Sequence, residues 1–220
     1  MSFEIPTNWT FKSAGVASSF DLHVREQLPW YELATDAVAH IGRHYIPTNG
    51  LIYDIGASTG NIGNALSETI KQRQALLIAI EESNEMGSHY SAPGQLIIDD
   101  ALTYQYKSFD FGVCFLSFMF FPVSIRRKWL VSVIDKLKPG GAFVIVDKIQ
   151  TPKGYVGTTL RRLAIAWKIS TGTSPDDIIQ KELSLAGYQR PVSLSVFDDL
   201  DAVQFFQLGE FAGWIIEKPE

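Results

Sequence analysis

Hydrophobic residues occur along this chain in two alternating patterns. Short continuous apolar runs are typical of strands that are covered on both faces of a parallel sheet. Between the runs, apolar residues recur at every third or fourth position, which predicts amphipathic helices. The runs predict strands at residues 51–55, 76–81, 96–100, 111–116 and 142–146, and the spacing predicts helices at 61–73, 83–90 and about 124–137. This alternation predicts a doubly wound, mostly parallel α/β sheet.

Helical patterns also flank this alternation. Two stretches before the first strand, 20–29 and 32–45, have helical spacing, so residues 1–48 are predicted to form an N-terminal helical cap. Residues 150–200 are predicted to be a helical insertion. Its first helix has an apolar face made by Val156, Leu160, Leu163, Ala164 and Trp167. Ser124 is predicted to cap the helix that precedes the fifth strand.

The chain ends in two further apolar runs, at 203–208 and 211–216. Only Gly209 and Glu210 separate them, and a parallel crossover needs a dozen or more residues. The two runs are therefore predicted to be an antiparallel pair. They complete a seven-stranded sheet within one domain, residues 1–220.

Composition narrows the function classes. The 220 residues include 19 basic and 24 acidic side chains, a net charge of −5, which gives no general attraction for nucleic acid. The apolar runs are shorter than the roughly 20 residues that a membrane span needs. The N-terminus lacks the basic and apolar pattern of a signal peptide, and Cys114 is the one cysteine. We therefore expect a cytoplasmic protein without a membrane partner.

A glycine-rich turn after the first strand is the main functional signal. Asp54 ends that strand, and Gly56, Ser58 and Gly60 follow it. This arrangement of strand, glycine loop and helix brings the backbone close to a nucleotide. Glu81 lies 21 positions after Gly60, the distance expected for an acid that accepts hydrogen bonds from ribose hydroxyls.

A third acid, Asp100, ends the third predicted strand and is placed to accept from the amino group of an adenine. NAD and S-adenosylmethionine (SAM) both fit these features. Asp54, directly before the loop, repels a phosphate and attracts the ammonium of a methionyl group. The residues therefore favour SAM.

The sequence resembles the class I SAM-dependent methyltransferases over residues 50–147. The resemblance rests on Asp54-x-Gly-x-x-x-Gly60, the run from Ile78 to Met86, Ile98-Asp-Asp100, Phe109-Asp110 and Leu137-Lys-Pro-Gly-Gly141. It implies a Rossmann-like class I methyltransferase fold. Within that class the chain is most similar to the carboxy-SAM synthases, which act in tRNA wobble-uridine modification. Leu28-Pro-Trp-Tyr31 and Phe206-Gln207 carry this closer likeness.

The resemblance and the loop together give a predicted cofactor site, and the family implies a homodimer. The predicted SAM-binding residues are Tyr31, Asp54, Gly56, Ala57, Ser58, Gly60, Glu81, Glu82, Asp100, Ala101 and Phe115.

Two departures separate this chain from the carboxy-SAM synthases. Where that family has an Arg for the extra carboxylate, this chain has Glu182, and an Asn of the fourth strand is replaced by Phe115. The charge preference at the first position is reversed. We therefore expect methyl transfer from SAM to a small molecule or a nucleoside or tRNA-related acceptor. A carboxy-SAM synthase-like enzyme and a non-catalytic SAM-binding protein are the alternatives.

No catalytic residue is assigned from the sequence. Tyr31 and His23 are the N-terminal acid/base candidates, and the histidines lack the spacing of metal ligands. Cys114, inside an apolar strand, is expected to be inert core. DNA is an unexpected substrate because no Asp/Asn-Pro-Pro-Tyr-type motif follows the fourth strand. The apolar segment 115–121 is expected to be core, with the lining of a substrate pocket as the alternative. A solvated helix face is expected for Lys153, Arg161, Arg162 and Lys168, with binding of an anionic substrate or an RNA backbone as the alternative.

Overall fold

A computed structural model describes residue 5 and residues 7–219. Its centre is a seven-stranded sheet with the order β3-β2-β1-β4-β5-β7-β6. β1 to β5 run parallel to one another, whereas β7 pairs antiparallel with both β5 and β6. The strands are β1 (Leu51–Ile55), β2 (Leu76–Glu81), β3 (Gln95–Ile98), β4 (Phe109–Phe115), β5 (Leu137–Lys148), β6 (Ala202–Leu208) and β7 (Phe211–Glu217). The predicted sheet, including its antiparallel C-terminal strands, is confirmed.

Eight helices accompany the sheet in the described part of the chain. They are α1 (Ala14–Gln27), α2 (Tyr31–Tyr45), α3 (Asn61–Ala65), α4 (Ser67–Arg73), α5 (Asn84–Gly87), α6 (Arg126–Ile134), α7 (Tyr155–Ser170) and α8 (Pro175–Ser184). α7 and α8 lie between β5 and β6 in the chain, where the insertion was expected. None of these helices is long and apolar enough to cross a membrane.

The core has two layers, one on each face of the sheet. Tyr53 and Ile55 of β1 pack into one layer, and Ile52 packs into the other. Successive strand residues point to opposite faces, and here both faces are covered. All three side chains are fully buried, which explains why the parallel strands have continuous apolar sequences.

Several predicted helix boundaries are wrong. α1 begins at Ala14, six residues before the predicted start, and the predicted helix 61–73 is divided at Leu66 into α3 and α4. Ser124 does not cap α6. It lies in a 3-10 turn at Val123–Ile125, and Ile125 takes the N-cap position without a side-chain hydrogen bond.

The apolar face predicted for the insertion is only partly buried. Val156 is 59% exposed and Leu163 is 36% exposed, and Gly157 is the buried residue of α7. The helical period of this segment is therefore confirmed, and its apolar face is divided. Leu160, Ala164 and Trp167 are half-buried, and Trp167 packs against the core.

Candidate functional site

A cavity of about 330 Å³ opens at the carboxyl ends of the central parallel strands. This is the edge at which open α/β sheets bind ligands. Ten of the eleven predicted cofactor residues line it: Tyr31, Asp54, Gly56, Ala57, Ser58, Glu81, Glu82, Asp100, Ala101 and Phe115. Gly60 is not among the lining residues. These ten residues, chosen from the sequence, thus lie together around one cavity.

The first loop glycine is required by a close approach of two loops. Gly56 has a φ of +73°, and a Cβ at this position would lie 2.5 Å from the Cβ of Ser117. Ser117 is held there because its hydroxyl donates to the carbonyl of Ile55 at 2.9 Å. Gly60 has a φ of +96°, but its α-carbon faces Ala92, where a Cβ would come within 2.7 Å. Gly60 thus shapes the loop from outside the cavity.

The amide groups of the loop are already bonded within the protein. Gly56 and Ala57 donate their N–H groups to the carbonyl of Ile80, at 2.9 and 3.0 Å. The N–H of Ser58 donates to Oε2 of Glu81 at 2.8 Å. A dinucleotide loop presents such amides to a pyrophosphate. Three successive amides are engaged here, so the geometry disfavours a phosphate and agrees with the preference for SAM over NAD that the charge of Asp54 indicates.

Asp54 is the most unusual group in the cavity. Its side chain is almost fully buried, and Oδ2 has no hydrogen-bond partner among the described residues. Burial, with a further contribution from the nearby charge of Glu81, raises the pKa of Asp54 to about 7. A buried carboxylate without a partner is costly. Oδ2 is therefore suited to a ligand that brings a positive charge.

Glu81 is fixed by two backbone amides. Its Oε1 accepts from the N–H of Ser83 at 2.9 Å, and its Oε2 accepts from Ser58. Burial raises the pKa of Glu81, and the hydrogen bonds from the two amides oppose that effect. Each carboxylate oxygen has a second lone pair, so both oxygens retain the capacity to accept from a vicinal diol.

Asp100 lies in a turn after β3. Its Oδ1 accepts from the N–H of Leu102 at 2.8 Å, and its own N–H donates to Oδ1 of Asp99 at 2.8 Å. Asp99, Asp100 and Leu102 all line the cavity. The bond from Leu102 fixes the Asp100 carboxylate at the wall of the cavity, where it is available to a hydrogen-bond donor of a ligand.

Tyr31 forms part of the cavity wall and is not placed to transfer a proton. Its ring packs edge-to-face on Phe115 with centroids 5.4 Å apart, and Arg25 lies 5.5 Å above the ring. Burial raises the pKa of the Tyr31 phenol above its ordinary value. His23, the other acid/base candidate, has its pKa lowered to about 3 by burial and by the charge of Lys181. Neither group is poised to exchange a proton near neutral pH.

The sequence did not reveal the aromatic side chains that close the cavity. Phe11 and Phe20 approach from the N-terminal segment, and Phe120 and Tyr188 from the other side. Phe11 is central, with ring centroids 6.2 Å from Phe20, 5.1 Å from Phe120 and 6.4 Å from Tyr188. Residues 1–20 have no periodic pattern of apolar positions. Their aromatic residues were therefore the one feature of the sequence that pointed to a contribution to the cavity.

The apolar segment after β4 is divided between core and cavity. Phe118 and Met119 are buried, as expected for core. Phe115, Phe120 and Phe121 line the cavity instead. Cys114 is fully buried, and burial raises the pKa of its thiol, which agrees with an inert core cysteine.

Glu182 lies among lysines. Its Oε1 is 3.4 Å from the Nζ of Lys168 and 4.0 Å from the Nζ of Lys148. Both ammonium groups lower the pKa of Glu182, although burial opposes them. The prediction that Lys168 belongs to a solvated face is wrong, because its side chain is 16% exposed and paired with Glu182. Arg161 and Arg162 are exposed, as predicted.

Solved structures with a similar fold are methyltransferases. The plantazolicin methyltransferase BpumL, solved with SAH, aligns with a TM-score of 0.61 over 92% of this chain and 89% of that chain, at 16% identity. Human N-acetylserotonin methyltransferase, solved with SAM, aligns with a TM-score of 0.59 over 96% of this chain and 58% of that chain, at 11% identity. The fold is that of a class I methyltransferase.

Curated relatives of this class I methyltransferase fold cover nearly the whole chain. The carboxy-S-adenosyl-L-methionine synthase of Staphylococcus epidermidis is 28% identical over 97% of this chain and 98% of the relative. The enzyme of the same name from Shewanella pealeana is 26% identical over 90% of this chain and 85% of the relative. No family model matches the sequence. The resemblance to carboxy-SAM synthases is thus confirmed as a similarity.

Proposed function

We propose that the cavity binds SAM and that the protein is a SAM-dependent methyltransferase acting on a small molecule or a nucleoside or tRNA-related acceptor. The observation that carries the proposal is the buried Oδ2 of Asp54, which has no partner among the described residues, beside a loop whose amides are already bonded. This environment attracts an ammonium and offers little to a phosphate.

The residues of the cavity fit the three parts of SAM. Asp54 would hold the ammonium of the methionyl group, and the two oxygens of Glu81 would accept from the ribose hydroxyls. Asp100 would accept from the adenine amino group, with Ala101 beside it. Tyr31 and Phe115 would form the apolar wall. When bound, SAM supplies an electrophilic methyl group on a sulfonium.

The task of the chain's own residues would be positioning and exclusion of water. The aromatic side chains of Phe11, Phe20 and Phe120 close the cavity from the N-terminal segment and from the loop after β4. We propose that the N-terminal segment and the insertion act as covers for the substrate. Orienting a nucleophile toward a bound electrophile supplies a large part of a rate enhancement.

A carboxy-SAM synthase-like activity is the second candidate. Glu182 by itself would repel an extra carboxylate. In the structure, however, Lys148 and Lys168 lie within 4.0 Å of Glu182, so its charge is compensated. The names of the curated relatives also support this candidate. A SAM-binding protein without catalytic activity is the third candidate function.

The mass of the ligand that co-purifies with the protein tests these candidates. We expect SAM or SAH after gentle denaturation and mass spectrometry. A ligand with the mass of carboxy-SAM, in which a carboxyl group replaces one hydrogen of the SAM methyl group, would instead support the carboxy-SAM synthase-like activity. Calorimetry of the ligand-free protein should then show binding of both SAM and SAH. Absence of binding by either compound would overturn the whole proposal.

Two further properties belong to the proposal. We propose a homodimer formed through the hairpin of α7 and α8, where Ile179 is 58% exposed and Leu183 is 70% exposed. The resemblance to carboxy-SAM synthases supports this assembly. We also propose a cytoplasmic location, which the free thiol of Cys114 supports.

A further inference from the structure

The ionised groups that line the cavity at the carboxyl ends of the strands are of one sign. Five carboxylates line it and, among the described residues, no lysine, arginine or histidine does. The carboxylates belong to Asp54, Glu81, Glu82, Asp99 and Asp100. Lys12 pairs with Glu82 at 2.7 Å, but both side chains are more than half exposed, so this pairing is weak. The cavity therefore presents an excess of negative charge to a ligand.

Binding of SAM would not remove this excess. SAM has one net positive charge, the sum of its ammonium, its sulfonium and its carboxylate. In the proposed arrangement Asp54 faces the ammonium, whereas Glu81 and Asp100 accept hydrogen bonds from neutral donors. Glu82 and Asp99, which are both exposed at the same cavity, have no proposed partner in SAM. An acceptor that enters beside SAM would thus still meet unbalanced carboxylates.

Aromatic rings close the cavity where the N-terminal segment meets the loop after β4. The rings of Phe11 and Phe120 have centroids 5.1 Å apart and planes at 89°, and Phe120 lies 5.1 Å from the ring of Tyr188. Rings at right angles present their faces in different directions, as the rings of an aromatic cage do around a cation. These faces also accept the apolar body of a ligand.

Tyr188 shows how this environment acts on an ionisable group. Burial, and then the charge of Glu82, raise the pKa of its phenol, whereas Lys12 acts in the opposite direction. The anionic form of a phenol is therefore disfavoured at the aromatic end of the cavity. An acceptor that must become a phenolate or a thiolate before it reacts would meet the same effect.

We propose that the methyl acceptor is a small amine with an apolar or aromatic body, which is methylated on nitrogen. This inference rests on the proposed function and names the substrate class for it. Carboxylates and ring faces attract the ammonium form of such an acceptor. Once it has lost one proton, the amine has its own nucleophilic lone pair, so it needs no histidine or lysine as a base. The described lining contains neither.

The charges in the transfer step agree with this acceptor. The ammonium gives one proton to solvent beside the exposed carboxylates of Glu82 and Asp99, and the nitrogen lone pair then forms a bond to the methyl carbon. The bond from this carbon to sulfur breaks, and its electron pair stays on sulfur in SAH. The positive charge moves from sulfur to nitrogen, so the carboxylates face a cation before and after the transfer. Methylation of an oxygen anion would remove that cation.

Benzylamine is a suitable probe, with benzyl alcohol as its uncharged control and benzoate as its anionic control. On the SAH-saturated protein at pH 7, we expect calorimetry to show benzylamine binding at least tenfold tighter than benzyl alcohol, and benzoate binding more weakly than either. Added salt should weaken the binding of benzylamine and leave that of benzyl alcohol unchanged, because salt screens charge attraction. If benzoate or benzyl alcohol binds as tightly as benzylamine, the proposal is wrong.

Two substitutions at the exposed ion pair should act in opposite directions. Glu82→Gln removes a carboxylate of the cavity and should weaken benzylamine binding several-fold, whereas Lys12→Met removes the opposing cation and should strengthen it several-fold. Glu68→Gln and Lys71→Met are the matched controls, since both residues are exposed on α4 outside the cavity, and they should leave binding unchanged.

The gain expected for Lys12→Met keeps the test decisive. An ion pair with a purely structural role would give no such gain. Unchanged or weaker benzylamine binding by Lys12→Met therefore contradicts the proposal, even if Glu82→Gln fails to fold.

Product analysis tests the atom that receives the methyl group. The protein is incubated with SAM and equal amounts of benzylamine, benzyl alcohol and benzoate, and the products are measured by mass spectrometry. We expect N-methylbenzylamine to exceed the methyl ether and the methyl ester at least tenfold. The ether or the ester as the main product, or benzylamine binding without N-methylation, would overturn transfer to nitrogen.

The outcomes separate the two proposals. SAH binding is measured on the same samples before the probes are added. If SAH binds and benzylamine binds no more tightly than benzyl alcohol, the acceptor class is wrong and the SAM site stands. If SAH does not bind, the proposed function itself fails.

Discussion

At the scale of single residues, Asp54 combines a stability cost with a binding role. The ligand-free protein keeps this carboxyl buried, and its pKa is raised to about 7. The unfolded chain releases the same proton near the ordinary value of 3.8. Between these pH values the folded state binds more protons than the unfolded state, so the contribution of Asp54 to stability falls as pH rises toward 7.

Replacing Asp54 should therefore have opposite effects on stability and binding. For Asp54→Asn we expect the free energy of unfolding, relative to wild type and without ligand, to increase by on the order of 2 kcal/mol between pH 5 and pH 8, because the wild type alone acquires a buried charge. SAM binding at pH 8 should weaken at least tenfold because the ammonium loses its counter-charge. Urea unfolding and calorimetry measure the two effects.

Asp36→Asn is the matched control, since Asp36 is exposed on α2 and outside the cavity. It should change neither quantity. If Asp54→Asn lost SAM affinity without any pH-dependent gain in stability, the account of Asp54 as a buried carboxyl with a raised pKa would be wrong.

At the scale of elements, Arg126 joins the segments that follow β4 to the end of the insertion. It stands at the start of α6 and is 3% exposed. Its guanidinium donates to four carbonyls, those of Met119, Phe121, Arg190 and Pro191, at 2.8 to 3.3 Å. The fork of donors thereby fixes the loop that carries Phe120 and Phe121 to the cavity.

Arg126→Lys should show that the fork, and not the charge, is what matters. Lysine cannot reach four carbonyls in different directions, so we expect a loss of about 3 kcal/mol in the free energy of unfolding. SAM binding should also weaken because Phe120 and Phe121 become less well positioned. Arg127→Lys is the control, since Arg127 donates a hydrogen bond to the carbonyl of Val196 and forms an exposed ion pair with Asp199. This variant should cost less than about 1 kcal/mol. Equal losses in the two variants would contradict this role.

The sequence predicted the elements best where their burial is regular. β1 and β2 have the predicted bounds because their residues are apolar without interruption and buried on both faces. The helix ends were predicted less well. α6 begins without a capping side chain, and α1 extends into a segment whose apolar residues contact the loops and not the sheet. Such tertiary contacts leave no period in the sequence.

The same contrast holds for the cavity. Asp54 and Glu81 were identifiable because strand ends and loop spacing bring them to one edge of the sheet. Phe11 was not, because it reaches the cavity from a segment that is remote in sequence. The effect of Glu182 was predicted from its own charge alone. The lysines that compensate this charge come from β5 and α7, which the sequence does not place beside it.

At the scale of the whole molecule, the hairpin of α7 and α8 has two sides. One side carries the half-buried lysines Lys168 and Lys181. The other exposes apolar side chains, including Ile179 and Leu183, which are four residues apart and share one face of α8. The same hairpin exposes Arg161 and Arg162 on α7 and acidic residues at 176 and 177 on α8. We propose that these opposite charges pair around an apolar centre in a two-fold interface between identical chains.

Introducing a charge on this surface tests the homodimer. We expect sedimentation equilibrium to find the wild type as a dimer and Leu183→Glu as a monomer, because each copy would place a carboxylate against the apolar centre of a two-fold interface. Leu22→Glu is the control, since Leu22 is 67% exposed on α1 and lies outside the hairpin, and this variant should remain dimeric. A monomeric wild type, or a dimeric Leu183→Glu, would contradict the assignment.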